Sequence, residues 1–141
     1  MIGVIVAAHG TLADSLLDTA RLGLGEVPRA LAVSIQAKDD ARAFETRLRE
    51  AVAELAKQGA GVLLLTDMFG GSPSNIGMTL HVEGEVEILT GVNLPMLIKV
   101  LQSRQRDLPL QQIAHEGRVS ATRSIAIASE VLAGLAPNSE T

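Results

Sequence analysis

Short apolar runs alternate along this chain with segments whose apolar residues recur at helical spacing. The runs at residues 2–8, 30–35, 62–66 and 86–90 have the length of buried strands. Strands that alternate with helices favour a parallel sheet with right-handed crossovers. We therefore predict an α/β protein of the flavodoxin-like type, a three-layer α/β/α arrangement with a mainly parallel sheet in the strand order 2-1-3-4.

Start and stop signals place the helices between these strands. One follows Thr11 and ends near Gly25, and a second is capped by Asp39 and ends at Gly59. Further helices are predicted from about Pro73 to Leu80, from Asn93 and Pro95 to about Ser103, over Pro109 to Glu116 as a short segment, and in a mostly helical pattern over Ser120 to Leu135. Because no internal repeat or linker occurs, we expect residues 1–135 to form a single domain and residues 136–141 to form a frayed tail.

His9 stands where the first predicted strand passes into the first helix, directly before Gly10. The carboxyl ends of parallel strands form the edge at which ligands and chemistry are found in open α/β sheets. An imidazole at that edge is a candidate nucleophile or base. Position alone also fits a loop histidine that is hydrogen-bonded to its neighbours, and that is the commoner case.

Asp67 follows the third apolar run in the same way. If the first and third strands are neighbours, about 4.8 Å apart, the His9 imidazole and the Asp67 carboxylate come within hydrogen-bond range. A carboxylate that accepts the proton of one ring nitrogen fixes the tautomer and leaves the other nitrogen free to attack. Taken by itself, Asp67 also fits a turn or capping residue.

The turn Gly70-Gly71-Ser72-Pro73 is a candidate anion site. Glycines let backbone N–H groups approach a ligand closely, and Ser72 before Pro73 marks a helix start, where free N–H groups attract anions. A glycine pair is also often only a turn. The chain has no Gly-Lys-Ser or Gly-Lys-Thr loop, and Gly23-Leu24-Gly25 lacks the third glycine of a dinucleotide-binding motif, so a nucleotide site is not expected.

Composition narrows the classes of function. The 141 residues are 47% hydrophobic but only 1% aromatic, so the core is aliphatic and base-stacking platforms are lacking. With 12 Lys and Arg against 16 Asp and Glu, the net charge is -4, and nucleic acid is not the expected partner. The absence of cysteine excludes disulfides and thiolate metal sites and fits a cytoplasmic setting.

Since the N-terminus has no basic segment and no apolar run reaches membrane length, neither a secretory signal nor direct membrane insertion is expected.

The other two histidines carry no comparable signal. His81 and His115 do not follow predicted strands, and no cluster of His, Asp and Glu has metal-ligand spacing. We therefore expect no metal site, and we predict that both are ordinary surface or helix-end residues.

Three motifs together resemble the IIA component of the mannose-type sugar phosphotransferase system. They are His9-Gly10 after the first strand, Asp67-Met68-Phe69-Gly70-Gly71-Ser72-Pro73-Ser74-Asn75 after a later strand, and Gly91-Val92-Asn93-Leu94-Pro95-Met96-Leu97. The motifs occur in this order over most of the first hundred residues. Neither loop motif would suffice alone, but the combination is specific.

The resemblance implies a phosphotransferase in which His9 accepts a phosphoryl group from the phosphohistidine carrier HPr and passes it to a IIB component, while Asp67 orients the ring. No cofactor is then needed, since a phosphohistidine donor already carries an activated group. Some members carry Trp where this chain has Phe69, and the phenylalanine keeps that surface apolar. Asn93 and Pro95 also fit the start of a helix without any contact to phosphate. The expected phosphate-binding residues are Gly10, Thr11, Gly70, Gly71 and Ser72, and the expected partner-docking residues are Phe69, Asn93 and Pro95.

Members of this family can pair through an exchanged C-terminal strand. The tail of this chain contains no convincing strand, so a homodimer of another arrangement stays open. Three alternatives to a sugar relay also stay open. They are a stand-alone regulatory phosphoacceptor of the same family, the phosphoryl donor subunit of dihydroxyacetone kinase, whose related domain tends to carry His-Ser where this chain has His9-Gly10, and a small-ligand-binding domain without chemistry.

Overall fold

A four-stranded parallel sheet forms the centre of the fold. The strands are β1 (Gly3–His9), β2 (Ala30–Ile35), β3 (Val62–Thr66) and β4 (Val86–Thr90), and their order is β2-β1-β3-β4. This computed structural model describes residues 1–134, so the frayed tail predicted at residues 136–141 lies outside the described residues. The predicted parallel sheet and its strand order are confirmed.

The register of β1 against β3 decides which residues meet at the carboxyl edge of the sheet. Ala7 lies opposite Thr66 in the last pair, so Asp67 follows this pair directly and His9 follows it by two residues. Every residue of β3 and the first six residues of β1 are buried. Because these central strands are covered on both faces, their sequences are continuous apolar runs rather than alternating ones.

Helices cover both faces of the sheet, as the three-layer prediction requires. One face packs against α1 (Leu12–Leu24), α4 (Leu94–Ser103) and α5 (Leu110–Arg123), and the other packs against α2 (Ala41–Ala56) and α3 (Ser72–Met78). The core is almost wholly aliphatic, since Phe44 is fully buried but the other phenylalanine, Phe69, is 74% exposed. A short sixth helix, α6 (Ala128–Leu132), has no buried residue.

Two helix starts are capped differently from the prediction. The N-cap of α2 is Asp40, not Asp39, because Oδ1 of Asp40 accepts the Arg42 amide at 3.0 Å. Asp39 instead accepts the amide of Gln36 at 2.7 Å. Thr11 occupies the N-cap position of α1, but its side chain makes no capping hydrogen bond. Both of these helices, α1 and α2, are present, and only their capping groups differ from the prediction.

The helix predicted over Pro109 to Glu116 is longer than expected and continues to Arg123. Gly117 suggests an early end, but it serves the packing of two helices. A Cβ on Gly117 would lie only 2.7 Å from Cγ2 of Val100 in α4. The glycine therefore lets α5 approach α4 closely.

The mostly helical pattern predicted over Ser120 to Leu135 is found in part. Residues 120–123 end α5 and residues 128–132 form α6, whereas residues 124–127 lie outside both helices and Leu135 lies outside the described residues. The chain leaves helical geometry after Arg123, and Ile127 is extended, with φ -95° and ψ 122°, before α6 begins. Ile125 and Ile127 are both more than half exposed, so no core packing holds this stretch in a helix. Within residues 1–134, no helix has the length and apolar character needed to cross a membrane.

Candidate active site

His9 and Asp67 meet at the carboxyl edge of the sheet. His9 is the last residue of β1, and Asp67 directly follows β3. Nδ1 of His9 lies 2.7 Å from Oδ2 of Asp67, and the same oxygen accepts the backbone amide of His9 at 2.9 Å. The contact predicted from the two strand ends is present, and it fixes the backbone of His9 as well as its ring.

The Asp67 carboxylate is held in its ionised form. Burial by itself raises the pKa of this carboxyl. Hydrogen bonds from the His9 amide and ring, the charge of the His9 ring and the Met68 amide outweigh burial and lower the pKa below its ordinary value of 3.8. Because an ionised carboxylate only accepts hydrogen bonds, Nδ1 of His9 must be the donor. In the neutral ring the lone pair of Nε2 is therefore free.

The two partners differ in their access to solvent. The side chain of His9 is 49% exposed, whereas that of Asp67 is 11% exposed. The nitrogen with the free lone pair thus belongs to an open ring, and the group that orients the ring is shielded. This arrangement suits a histidine that must reach a group carried by another macromolecule.

The glycine turn lies directly against the His9 ring. A Cβ added to Gly71 would lie 3.1 Å from Cε1 of His9, the ring carbon between the two nitrogens. Gly71 has an ordinary extended backbone, with φ -81° and ψ 166°, so the close approach rather than a left-handed conformation requires glycine. Gly70, by contrast, has a left-handed φ of 87°. The Gly71 amide is loosely engaged, 3.4 Å from the carbonyl oxygen of Met68.

Two buried hydroxyls beneath this turn were not predicted as site residues. Oγ of Ser74 lies 2.5 Å from the Met68 carbonyl oxygen and 2.5 Å from Oγ1 of Thr66, and both hydroxyl side chains are fully buried. Nδ2 of Asn75 donates to the carbonyl of Gly70 at 3.1 Å and holds the outer part of the turn. The available signal was Thr66, a polar residue ending a buried strand, because a buried hydroxyl must find a partner.

The turn after His9 is held by the neighbouring strand β2. Gly10 has φ 62°, and its amide donates to the carbonyl of Ile35 at 2.9 Å. Nε2 of Gln36 donates to the carbonyl of Gly10 at 3.1 Å. Gly10 and Thr11 are thus brought to the same sheet edge as His9, and Thr11 keeps an exposed side chain. Gln36, which supports this turn, was missed by the sequence analysis.

The predicted third loop begins a helix at the same edge. Asn93 is the N-cap of α4, since its Oδ1 accepts the Met96 amide at 3.0 Å. Its Nδ2 donates to the carbonyl of Ala121 at 3.3 Å, so both polar groups of the side chain have partners within the chain. Pro95 lies in the first turn of α4. These contacts agree with the interpretation of Asn93 and Pro95 as the capped start of a helix.

An apolar tip projects from the loop between β3 and α3. Phe69 is 74% exposed and Met68 is 55% exposed. Leu12, in the first turn of α1 and three residues after His9, is 42% exposed. Large exposed apolar side chains beside a polar site are typical of surfaces that bind other proteins.

The remaining histidines lie outside this site. Nε2 of His81 is 3.5 Å from a carboxylate oxygen of Glu87, and Nδ1 of His115 is 3.3 Å from the guanidinium of Arg118. Within residues 1–134, no group of three His, Cys, Asp or Glu residues is placed to hold a metal ion.

Comparison with known proteins identifies the family. The family model described as "PTS system fructose IIA component" matches residues 3–116. The PTS system mannose-specific EIIAB component of Escherichia coli (strain K12) is 37% identical over 109 residues, which are 75% of this chain and 33% of that protein. This chain therefore spans about a third of the length of that relative. The PTS system fructose-specific EIIA component of Bacillus subtilis (strain 168) is 28% identical over 133 residues, 94% of this chain and 90% of that one.

Solved structures agree with this assignment. The crystal structure of phosphotransferase system component EIIA from Streptococcus agalactiae has a TM-score of 0.83 at 25% identity and covers 92% of this chain and 98% of that one. The PTS IIA protein associated with the fucose utilization operon from Streptococcus pneumoniae has a TM-score of 0.80 at 30% identity, with 92% and 95% covered. Since the family match extends over residues 3–116 and the sheet edge holds the expected His and Asp, the chain belongs to the IIA component family of sugar phosphotransferase systems.

Proposed function

We propose that this protein is a phosphoryl-relay component in which His9 accepts a phosphoryl group from the phosphocarrier HPr and passes it to a IIB component. The observation that carries the proposal is the 2.7 Å contact between Nδ1 of His9 and a shielded, ionised Asp67, beside an open ring face. The names of the relatives, mannose-specific and fructose-specific, support a sugar phosphotransferase system without selecting one sugar.

The chemistry proposed for His9 is nucleophilic catalysis. The lone pair of Nε2 forms a bond to phosphorus while the bond between phosphorus and the donor's ring nitrogen breaks, and the electron pair of the broken bond returns to that nitrogen. The His9 ring gains positive charge as the bond forms, and the Asp67 carboxylate stabilises that charge without taking the proton. Transfer to a IIB component is the same exchange in the other direction, and no metal or nucleotide takes part.

The phosphoryl oxygens are proposed to bind backbone groups around the ring. Gly71 lies against the ring edge, and its loosely engaged amide is available to an incoming oxygen. The exposed side chain of Ser72 lies next to it, and the Thr11 hydroxyl at the start of α1 is not used for capping. The proposed phosphate-binding set is therefore Gly10, Thr11, Gly70, Gly71 and Ser72.

Partner docking is proposed at the apolar tip and the neighbouring loop. Phe69 supplies the largest exposed apolar side chain beside His9, and Asn93 and Pro95 present the start of α4 at the same edge. HPr and a IIB component would both need this surface, because each must bring its reacting group to the same ring nitrogen. We place this relay in the cytoplasm, a setting that fits a chain without cysteine and therefore without disulfides.

A homodimer is also proposed, through the segment that follows α5. Four exposed apolar side chains lie in this segment, namely Ile125, Ile127, Val131 and Leu132. We propose that association of two chains buries them. Sedimentation velocity at micromolar concentration would report a dimer, and a purely monomeric species would remove this part of the proposal.

The direct test is phosphorylation with enzyme I, HPr and labelled phosphoenolpyruvate, followed by intact mass measurement. We predict a gain of one phosphoryl group per chain, lost in acid and stable in alkali as a phosphoramidate is. His9→Ala should show no gain and only a small drop in melting temperature, because the ring is half exposed and the backbone amide of residue 9 still bonds Asp67. Labelling of His9→Ala at the wild-type level would contradict the proposal. Label retained by the protein when a IIB component is added would favour a regulatory phosphoacceptor instead.

A further inference from the structure

A chain of two buried hydroxyls supports the loop between β3 and α3 from below. Thr66 and Ser74 are both fully buried, one at the end of β3 and the other in the first turn of α3. Their oxygens lie 2.5 Å apart, and Oγ of Ser74 is also 2.5 Å from the carbonyl oxygen of Met68. The chain of contacts thus runs from the sheet to the residue that follows Asp67.

The direction of these hydrogen bonds follows from the number of protons. A carbonyl oxygen can only accept, so Ser74 donates its single hydroxyl proton to Met68. The proton between the two hydroxyls must then come from Thr66. Each hydroxyl proton therefore has one acceptor, and the end of the chain is the Met68 carbonyl.

The same carbonyl is the acceptor that the Gly71 amide faces. That amide lies 3.4 Å away, beyond the usual range of a good N–H···O bond, whereas Ser74 lies at 2.5 Å. Ser74 thus makes the shorter of the two hydrogen bonds that the Met68 carbonyl accepts, and the Gly71 amide makes the longer one and stays only weakly bonded within the loop. Gly71 is also the residue whose Cβ would meet the His9 ring at 3.1 Å.

We propose that Ser74, held by Thr66, is a positioning residue for phosphoryl transfer at His9. By occupying the Met68 carbonyl it keeps the Gly71 amide free to donate to the incoming phosphoryl oxygen. This inference rests on the proposed relay function and adds two residues to its site. Without the Ser74 hydroxyl, the Met68 carbonyl loses its short hydrogen bond, and the Gly71 amide, which already faces it at 3.4 Å, is expected to move closer.

The first test compares Ser74→Ala with a matched control, Ser103→Ala. Ser103 is also a buried serine whose hydroxyl has two partners, since it donates to Glu116 at 2.7 Å and accepts from Arg106 at 3.3 Å, but it ends α4, away from His9. At saturating phosphorylated HPr we expect Ser74→Ala to be slower by about 10- to 100-fold, near the lower end of the loss of one donor to a developing charge. The KM for phosphorylated HPr should change less than the rate. Ser103→Ala should lose stability and keep its rate.

The second test removes the other hydroxyl and works if Ser74→Ala folds poorly. Thr66→Val keeps the volume of the side chain but removes the proton that Ser74 accepts, and Thr66→Ser keeps the proton. We expect a slower transfer in Thr66→Val and a near-normal rate in Thr66→Ser. Equal rates for the two variants would overturn the inference.

A measurement without phosphoryl transfer separates this inference from the proposed function. Amide hydrogen exchange of unphosphorylated protein, followed by NMR, should show the Gly71 amide better protected in Ser74→Ala than in the wild type. If the wild type gains no phosphoryl group, the proposed function fails and the inference fails with it. If the wild type is phosphorylated but Ser74→Ala keeps both the wild-type rate and the wild-type Gly71 exchange, the inference alone is wrong.

Discussion

At the scale of single residues, the chemistry of His9 depends on which ring nitrogen its hydrogen bond to Asp67 leaves without a proton. Asp67 accepts two hydrogen bonds from residue 9, one from the backbone and one from Nδ1. A third donor, the amide of Met68, bonds the other carboxylate oxygen at 2.9 Å. These donors keep Asp67 ionised, so Nδ1 carries the proton and Nε2 the lone pair.

Asp67→Asn should slow phosphoryl acceptance by roughly 10²- to 10⁴-fold. The amide group of Asn can donate to Nδ1, which would move the ring proton to Nε2 and block the attacking nitrogen. Rapid-quench measurement of the rate at saturating phosphorylated HPr tests this. If Asp67→Asn reacted at the wild-type rate, Asp67 would serve only as a turn residue.

The lowered pKa of Asp67 also predicts how stability depends on pH. A carboxyl whose pKa is lower in the folded state contributes stability above its unfolded pKa, near 3.8, and this contribution is lost as the pH falls through the folded pKa. The difference in unfolding free energy between the wild type and Asp67→Asn should therefore shrink below pH 3.8. Urea unfolding at a series of pH values measures it, and a difference that grows in acid would contradict the sign.

At the scale of elements, the loop between β3 and α3 places backbone against the His9 ring. Gly71→Val should lower the rate of phosphoryl acceptance with stability largely retained, because the new Cβ would press on Cε1 and on the Met68 side chain, each 3.1 Å away. The backbone of Gly71 is extended, so the effect comes from contact with the ring rather than from φ.

The matched control for this variant is Gly23→Ala. Gly23 lies in α1 with no atom within 4 Å of an added Cβ, so alanine there should leave the rate unchanged and slightly raise stability. Gly134 is unsuitable as a control, because its φ of 84° would strain any other residue. If Gly71→Val lost stability and kept its rate per folded molecule, Gly71 would no longer belong to the site.

The elements that the sequence predicted well are the strands, because each is a short apolar run bounded by turn signals. The bounds of β2, β3 and β4 agree with the apolar runs, although only β3 is buried throughout and the edge strands β2 and β4 are half-buried. Ser74 was not predicted, because its role depends on which side of α3 faces the sheet. The length of α5 was misjudged at Gly117, where a residue that usually ends helices instead allows close packing.

At the scale of the whole molecule, the site and the main structural anchor lie at opposite edges of the sheet. The chain order places β1 and β3 side by side, and His9 and Asp67 meet in the crevice between their carboxyl ends. At the amino edge, the guanidinium of Arg104, only 3% exposed, donates to the carbonyls of Ile2, Pro28 and Arg29.

Arg104→Met should lower the free energy of unfolding by about 2–4 kcal/mol and leave the phosphorylation rate per folded molecule unchanged. Burial and the nearby charge of Arg29 lower the pKa of Arg104 to about 10, so it is still a cation at neutral pH. Its loss removes a donor from three carbonyls, of which that of Arg29 keeps another, the Val4 amide. Chemical denaturation measures the change. Arg21→Met is the control, since its exposed pair with Asp18 should contribute less than about 1 kcal/mol. Equal losses of unfolding free energy in Arg104→Met and Arg21→Met would contradict the structural role of Arg104.

The assignment of Nε2 of His9 as the phosphorylated atom is tested most directly on the wild-type protein. After phosphorylation by HPr, a long-range ¹H–¹⁵N NMR spectrum of the histidine rings distinguishes the two nitrogens of His9. Because Asp67 holds Nδ1 as the donor, we predict phosphorus on Nε2 of His9 and a proton retained on Nδ1. Phosphorus on Nδ1 of His9, or on His81 or His115 instead, would contradict the account.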